Sequence, residues 1–165
     1  MRLGALLHRC LTALLSLATL LVFGTGLAGC DSGAQPVTAG SRHVTLELGT
    51  QGDSMVFDRT ELRAPAGALI TVVFHNRSRL VAVEHNWLLA RPGAEESVAA
   101  AALVAGGEND FVAPNDRNVI AATKLAPRGE SRSVTFPAPP AGVYPYLCAF
   151  PGHHMVMKGS LIITP

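Results

Sequence analysis

The stretch YLCAFPGHHMVMKG, residues 146–159, concentrates sulfur and imidazole side chains in one short segment. From Cys148 to Met157 it holds one cysteine, two histidines and two methionines, although the whole chain has three, six and four of these residues. Side chains of these types share an ability to coordinate metal ions, so the segment predicts a metal site. The rest of the chain must then supply the fold and any further ligand.

The first 29 residues have the layout of an export signal. Arg2 and Arg9 precede an apolar run at residues 11–27, and the run ends in Leu-Ala-Gly followed by Cys30, which resembles the bacterial lipobox. We predict that residues 1–29 are a lipoprotein signal peptide and that Cys30 carries the lipid after cleavage. A transmembrane anchor or a secretory signal cut elsewhere is the alternative, but two glycines interrupt a run already short for a span of about 20 residues.

Composition beyond the signal indicates a tether and a nearly neutral domain. Residues 30–42 are mainly small and polar, which predicts a flexible tether, and the domain would occupy residues 43–165. Cleavage would remove two of thirteen basic residues and leave eleven against twelve acidic ones, a net charge of −1. Such a balance argues against a nucleic-acid partner. We expect a lipid-anchored protein on the extracytoplasmic face of a bacterial membrane, in the periplasm or at the cell surface.

The cysteines also suggest a ligand. Cys10 lies in the predicted signal and Cys30 would be lipidated, so Cys148 would be the only thiol of the exported domain. It cannot form an internal disulfide, and an unpaired thiol outside the cytoplasm is liable to oxidation unless something occupies it. The alternative is a small buried apolar residue, but that would not explain the histidines and methionines beside Cys148.

The predicted domain is a succession of strands with one helix. A helix is predicted at residues 94–105, where acidic residues are followed by alanines and then by a glycine pair that ends it. We predict an all-β sandwich with one short helical insertion, in a chain long enough for one core. Alternating or β-branched apolar runs predict strands at residues 44–48, 69–74, 86–90, 134–136, 144–147 and 160–164.

A cysteine, two histidines and a weakly bound methionine suit copper that cycles between two oxidation states. The segment 146–159 supplies Cys148, either of two adjacent histidines and either of two methionines. A second histidine must therefore come from elsewhere. His85 is the best candidate, because it lies at the start of an apolar run that a sandwich could bring to the same end as Cys148.

The segment 146–159 resembles the ligand loop of the azurin and auracyanin branch of the cupredoxins. In that loop a cysteine, four residues, a histidine, three or four residues and a methionine bind a type 1 blue copper, with the order Met-Lys-Gly at its end. Cys148, His153 and Met157 occupy these positions, and His85 with the following Asn-Trp resembles the upstream ligand segment. The resemblance covers residues 44–165 and implies a Greek-key β-sandwich holding one copper ion.

The same resemblance implies roles for individual residues. His85, Cys148 and His153 would be the equatorial ligands, and Met157 the long axial ligand. The Met-Lys-Gly order favours Met157 over Met155, and the Pro-Gly turn favours His153 over His154, which would then be a solvent-facing neighbour. Three residues would support the ligands: Asn86 by bracing the loop, Phe150 through its backbone amide toward the sulfur, and Glu84, which replaces the azurin glycine whose carbonyl approaches copper.

The resemblance implies an electron carrier and not an enzyme, because four protein ligands leave no open position for a substrate. Redox proteins such as a cytochrome or a membrane electron-transfer complex would be transient partners, and the lipid would attach the protein to the membrane. The alternative is an extracytoplasmic copper carrier or storage protein, which would expose residues such as Met55, His154 and Met155 for exchange. A structural zinc module is weaker, because zinc sites favour several cysteines and do not use methionine.

Overall fold

The computed structural model describes residues 42–80 and 82–165. Residues 1–41, which contain the predicted signal peptide, Cys30 and nearly all of the predicted tether, lie outside the described residues. Across the described ranges, no helix has the length and apolar character needed to cross a membrane. The elements formed by the described residues are β1 His43–Gly49, β2 Glu61–Pro65, β3 Leu69–His75, β4 Leu88–Ala90, α1 Glu95–Ala105, β5 Val119–Ala122, β6 Ser131–Pro137, β7 Gly142–Leu147 and β8 Lys158–Thr164.

The strands form two sheets. One has three strands in the order β1-β3-β6, and the other has five in the order β2-β8-β7-β4-β5. The pairs β1 with β3 and β2 with β8 are parallel, and the remaining pairs are antiparallel. This two-sheet sandwich with one helix confirms the predicted fold class.

Sequence patterns missed two strands, started one too early, and started the last three two or three residues too late. The strands β2 and β5 were not predicted, because β2 is only five residues long and ends in proline, and β5 is half alanine. The strand predicted at residues 86–90 begins only at Leu88. His85 instead forms an isolated bridge with Ala126, and the side chain of Asn86 is bonded to other segments.

Alternate residues of the strands build the core between the two sheets. Ile70, Val72 and Phe74 of β3 are fully buried there, facing Leu161 and Ile163 of β8. Side chains of a strand alternate between its two faces, so each sheet contributes every second residue to this core.

The helix α1 covers the outer face of the five-stranded sheet. Val98 and Ala102 of the helix pack against Leu88, Ala90 and Leu147. The strand β4 is therefore buried on both faces, as is the end of β7. Cys148, which directly follows β7, is therefore attached to a strand end that is packed on both faces.

Candidate metal centre

Residues 148–157, here called the ligand loop, connect β7 to β8. The strand residues on either side, Leu147 and Lys158, are paired in the antiparallel ladder. The backbone N–H of Cys148 donates to the carbonyl of Met157 at 3.0 Å, which extends the ladder into the loop. Cys148 and Met157 are thus held opposite each other at the base of the loop.

A tight turn brings the loop back toward its own base. Gly152 has φ of 80°, in the left-handed region that glycine adopts without steric cost. The N–H of His153 donates to the carbonyl of Phe150 at 3.0 Å, and the carbonyl of His153 accepts the N–H of Met157 at 2.8 Å. His153 therefore lies inside the loop, where it is only 7% exposed.

His85 reaches the site from a different part of the chain. Its backbone N–H donates to the carbonyl of Ala126 at 3.3 Å, and its carbonyl accepts the N–H of Ala126 at 2.7 Å. The buried side chain of Asn76 donates to the carbonyls of Val83 and Ala126, at 3.0 and 2.9 Å. Asn76 thus fixes both segments of the bridge that positions His85. Its role was not predicted, since an asparagine at a strand end carries no signal of this kind in a sequence.

The structure brings His85, Cys148 and His153 together as buried donors. Cys148 Sγ lies 3.7 Å from His85 Nδ1 and 3.6 Å from His153 Nδ1, and the two Nδ1 atoms are 3.2 Å apart. One ion bonded to all three at about 2.0–2.3 Å, with angles of about 120°, would separate the nitrogens by about 3.5 Å and nitrogen from sulfur by about 3.8 Å. The donors are therefore already spaced for a single metal ion.

The protonation states of the two histidines suit a cation, whereas the thiol must first lose its proton. Burial lowers the pKa of His85 to about 4, with the neighbouring His153 as a smaller cause, and burial also lowers the pKa of His153. Both rings are neutral at pH 7 and can use a nitrogen lone pair. Burial raises the pKa of the Cys148 thiol to about 12, opposed in part by the backbone amides of Asn86 and Phe150. A cation that binds here must displace that proton.

The two methionines and the two adjacent histidines of the loop differ clearly in burial. Met157 is fully buried in the same core cluster as Cys148, whereas Met155 is 65% exposed. His154, predicted to face solvent, is partly exposed. Its side chain is only 20% exposed, and Nε2 lies 3.6 Å from Glu96 Oε2, because the start of α1 covers the sheet next to the loop.

Asn86 joins the two halves of the site. Its Oδ1 accepts the N–H of Ala149 at 2.8 Å, and its Nδ2 donates to the carbonyl of Asp110 at 2.8 Å. The first bond connects the segment carrying His85 to the ligand loop. Glu84, just before His85, is half-buried.

Comparison with known proteins identifies the family. The sequence profile of the copper binding proteins of the plastocyanin/azurin family matches residues 44–164. The chain belongs to this family. This blue copper protein of the electron-transfer class has a type 1 copper as its cofactor, so the predicted family and cofactor are confirmed.

Individual relatives support the assignment. Auracyanin-A of Chloroflexus aurantiacus is 37% identical over 155 residues, covering 90% of this chain and 94% of that protein. Azurin iso-2 of Methylomonas sp. strain J is 36% identical over 118 residues, covering 68% of this chain and 92% of that protein. The solved structure of auracyanin A, described as a "blue" copper protein, has a TM-score of 0.69 at 40% identity and covers 73% of this chain and 98% of its own.

Proposed function

We propose that this cupredoxin is a lipid-anchored electron carrier in which His85, Cys148, His153 and Met157 would hold one copper ion. The spacing of the three buried donors is the observation that carries the proposal. When bound, copper supplies one-electron chemistry between Cu(II) and Cu(I).

The protein's contribution is to keep the donors in place while the charge at the site changes. Cys148 and Met157 are held by the ladder at the base of the loop, and His85 is held by its bridge to Ala126. Donors supported in this way have little freedom to rearrange. Electron transfer without bond making or breaking is fastest when such rearrangement is small.

His153 provides the route to a partner. It is the least buried of the four proposed ligands, and Met155 and Val156, two and three residues further along, are exposed by 65% and 55%. An apolar surface beside this histidine suits brief docking, because partners can separate without breaking strong polar contacts. The expected partners are redox proteins such as a cytochrome or a membrane electron-transfer complex.

Copper delivery or storage is the weaker candidate. A carrier must let another protein reach its ligands, whereas His85, Cys148 and Met157 are each no more than 1% exposed. Exposed Met55 and Met155 would suit transient copper binding, but the donor group that fits one ion is buried.

The proposed anchor rests on the sequence of residues 1–42. A lipid on Cys30 and a flexible tether would confine the domain to a layer next to the membrane and raise the local concentration of membrane-bound partners. Mass spectrometry of the mature N-terminus tests this directly. The proposal requires a diacylated Cys30 and loss of membrane association in Cys30→Ser; an unmodified N-terminus beyond residue 30 would contradict it.

Absorption spectroscopy tests electron carriage. The protein, extracted from membranes in detergent and loaded with Cu(II), should show an intense thiolate-to-copper band in the visible range that a reductant bleaches and an oxidant restores. A colourless protein that binds copper only as Cu(I) would contradict the proposal and favour copper delivery.

A further inference from the structure

The turn that follows α1 contains two consecutive residues with unusual backbone conformation. Asp110 and Phe111 have φ of 56° and 53°, in the left-handed region that residues other than glycine seldom adopt. The N–H groups of the two residues donate to the carbonyls of Gly107 and Gly106, each at 3.0 Å. Strained backbone of this kind persists only where the surroundings determine it, and it is concentrated at functional sites.

A polar connection runs from Asp110 to the ligand loop. Its carbonyl accepts the side-chain amide of Asn86 at 2.8 Å, and the same side chain accepts the N–H of Ala149 at 2.8 Å. The carboxylate of Asp110 also accepts the N–H of Leu125 at 2.9 Å. Asp110 therefore fixes the orientation of Asn86 from the side away from the loop.

An apolar connection runs from Phe111 to a copper ligand. The rings of Phe111 and Phe150 meet edge to face, with centroids 5.2 Å apart and planes at 68°. The ring of Phe150 lies against that of His153, with centroids 4.7 Å apart and planes at 34°. Contacts of this geometry are favourable beyond the apolar area they bury. Phe111 thus acts on His153 through one intervening ring.

We propose that Asp110 and Phe111 are positioning residues for the copper ligands. The left-handed conformation of both residues turns the chain so that the carbonyl of Asp110 contacts Asn86 and the ring of Phe111 contacts Phe150. One connection acts through Asn86 on Ala149, directly after Cys148, and the other acts through Phe150 on His153. This inference rests on the proposed copper site and adds residues outside both ligand segments.

Two substitutions at Phe111 test the apolar connection in the full-length, Cu(II)-loaded protein. In Phe111→Ala we expect the affinity for Cu(II) to fall about 10–100-fold, the range typical for residues that orient metal ligands, and a strong chelator to remove the metal correspondingly faster. The electron paramagnetic resonance hyperfine splitting of copper should also change. Phe111→Tyr keeps the ring and should restore both values.

The matched control separates positioning from general stability. Ile163 is buried near the end of β8, far along the strand from the ligand loop, so Ile163→Ala should lower thermal stability without changing the copper release rate or hyperfine splitting of the folded protein. The inference is overturned if Phe111→Ala loses stability but keeps wild-type release and splitting. Should Phe111→Ala fail to fold, Phe111→Leu applies the same test with a smaller loss of volume.

Substitutions at Asp110 test the polar connection. Asp110→Asn keeps a side-chain acceptor and tolerates the left-handed conformation, so copper release should match wild type. Asp110→Ala keeps neither property and should release copper faster. Wild-type release from Asp110→Ala would overturn this half of the inference. A wild-type protein without a thiolate-to-copper band would contradict the proposed function itself, whereas a blue wild type with unchanged variants contradicts only the positioning role.

Discussion

The two segments that supply the metal donors are held in place by different means. The ligand loop is fixed largely by bonds among its own ten residues, such as those from Cys148 to Met157 and from His153 to Phe150. His85 is fixed by residues far away in sequence, namely Asn76, Ala126 and, through Asn86, Asp110. The turns of the loop should therefore form locally, with Asn86 and Phe111 adding contacts from outside, whereas the position of His85 depends on the folded sandwich.

The largest expected effect comes from the loop itself. Cys148→Ser removes the sulfur that gives the thiolate-to-copper transition, so the visible band should disappear completely while the far-ultraviolet circular dichroism stays that of a β-sandwich. Met155→Ser, an exposed position in the same loop, should keep the band. A blue Cys148→Ser protein would show that the thiolate comes from elsewhere.

The next effect tests the distant support of His85. Asn76→Ala leaves the part-buried carbonyl of Val83 without this donor, removes one of the two donors to the carbonyl of Ala126, and takes the acceptor from the buried N–H of Ser78, so we expect the free energy of unfolding to fall by about 2–4 kcal/mol. Urea unfolding of the metal-free protein measures this. Asn115→Gly, at an exposed position with φ of 61°, is the control and should change stability by about 0.5 kcal/mol or less. Equal stability of the two variants would disprove the supporting role of Asn76.

A smaller effect distinguishes the two methionines of the loop. Met157→Leu should keep copper bound and raise the reduction potential, because loss of a thioether donor disfavours Cu(II) more than Cu(I). Voltammetry of Met157→Leu and Met155→Leu gives the comparison, and only the buried position should respond. A shifted potential in Met155→Leu with none in Met157→Leu would exchange their roles.

The smallest effect concerns the start of the segment that leads to His85. Asp53 accepts the backbone N–H of Arg79 at 2.6 Å, which together with the Arg79 side chain holds the pKa of the carboxyl below its usual 3.8. Its stabilising contribution is therefore complete above about pH 4 and is lost as the pH falls through the lower pKa of the folded state. Asp53→Asn should weaken this acid dependence slightly in unfolding curves measured from pH 2 to 6. An unchanged acid limb would contradict the account.

The contrast between the ligand loop and the segment of His85 also explains which parts of the site could be predicted from the sequence. The ligand loop is readable because its metal chemistry depends on residue types at short fixed spacings around Cys148. His85 could be proposed only once the loop had been recognised. Asn76 and Phe111 could not be found, since their importance depends on contacts between segments that no local pattern records.

In the fold, too, elements with a strong local sequence preference were predicted, and elements defined by contacts with distant segments were not. Strands with long β-branched runs, such as β3, were predicted within one residue of their ends. The strand β5 was missed because alanines give little preference for a strand, and its pairing with β4 defines it. His154 is only partly exposed because α1 lies near it, a contact between elements distant in the chain.

The most direct test of the central claim is anomalous diffraction at the copper edge from crystals of the loaded protein, oxidised and then reduced. We predict one copper peak in both states, within bonding distance of His85 Nδ1, Cys148 Sγ and His153 Nδ1, with Met157 as the nearby thioether. A copper peak elsewhere would contradict the proposed site. A change of ligands on reduction, such as loss of the His85 bond, would contradict the claim that the donors keep their positions in both oxidation states.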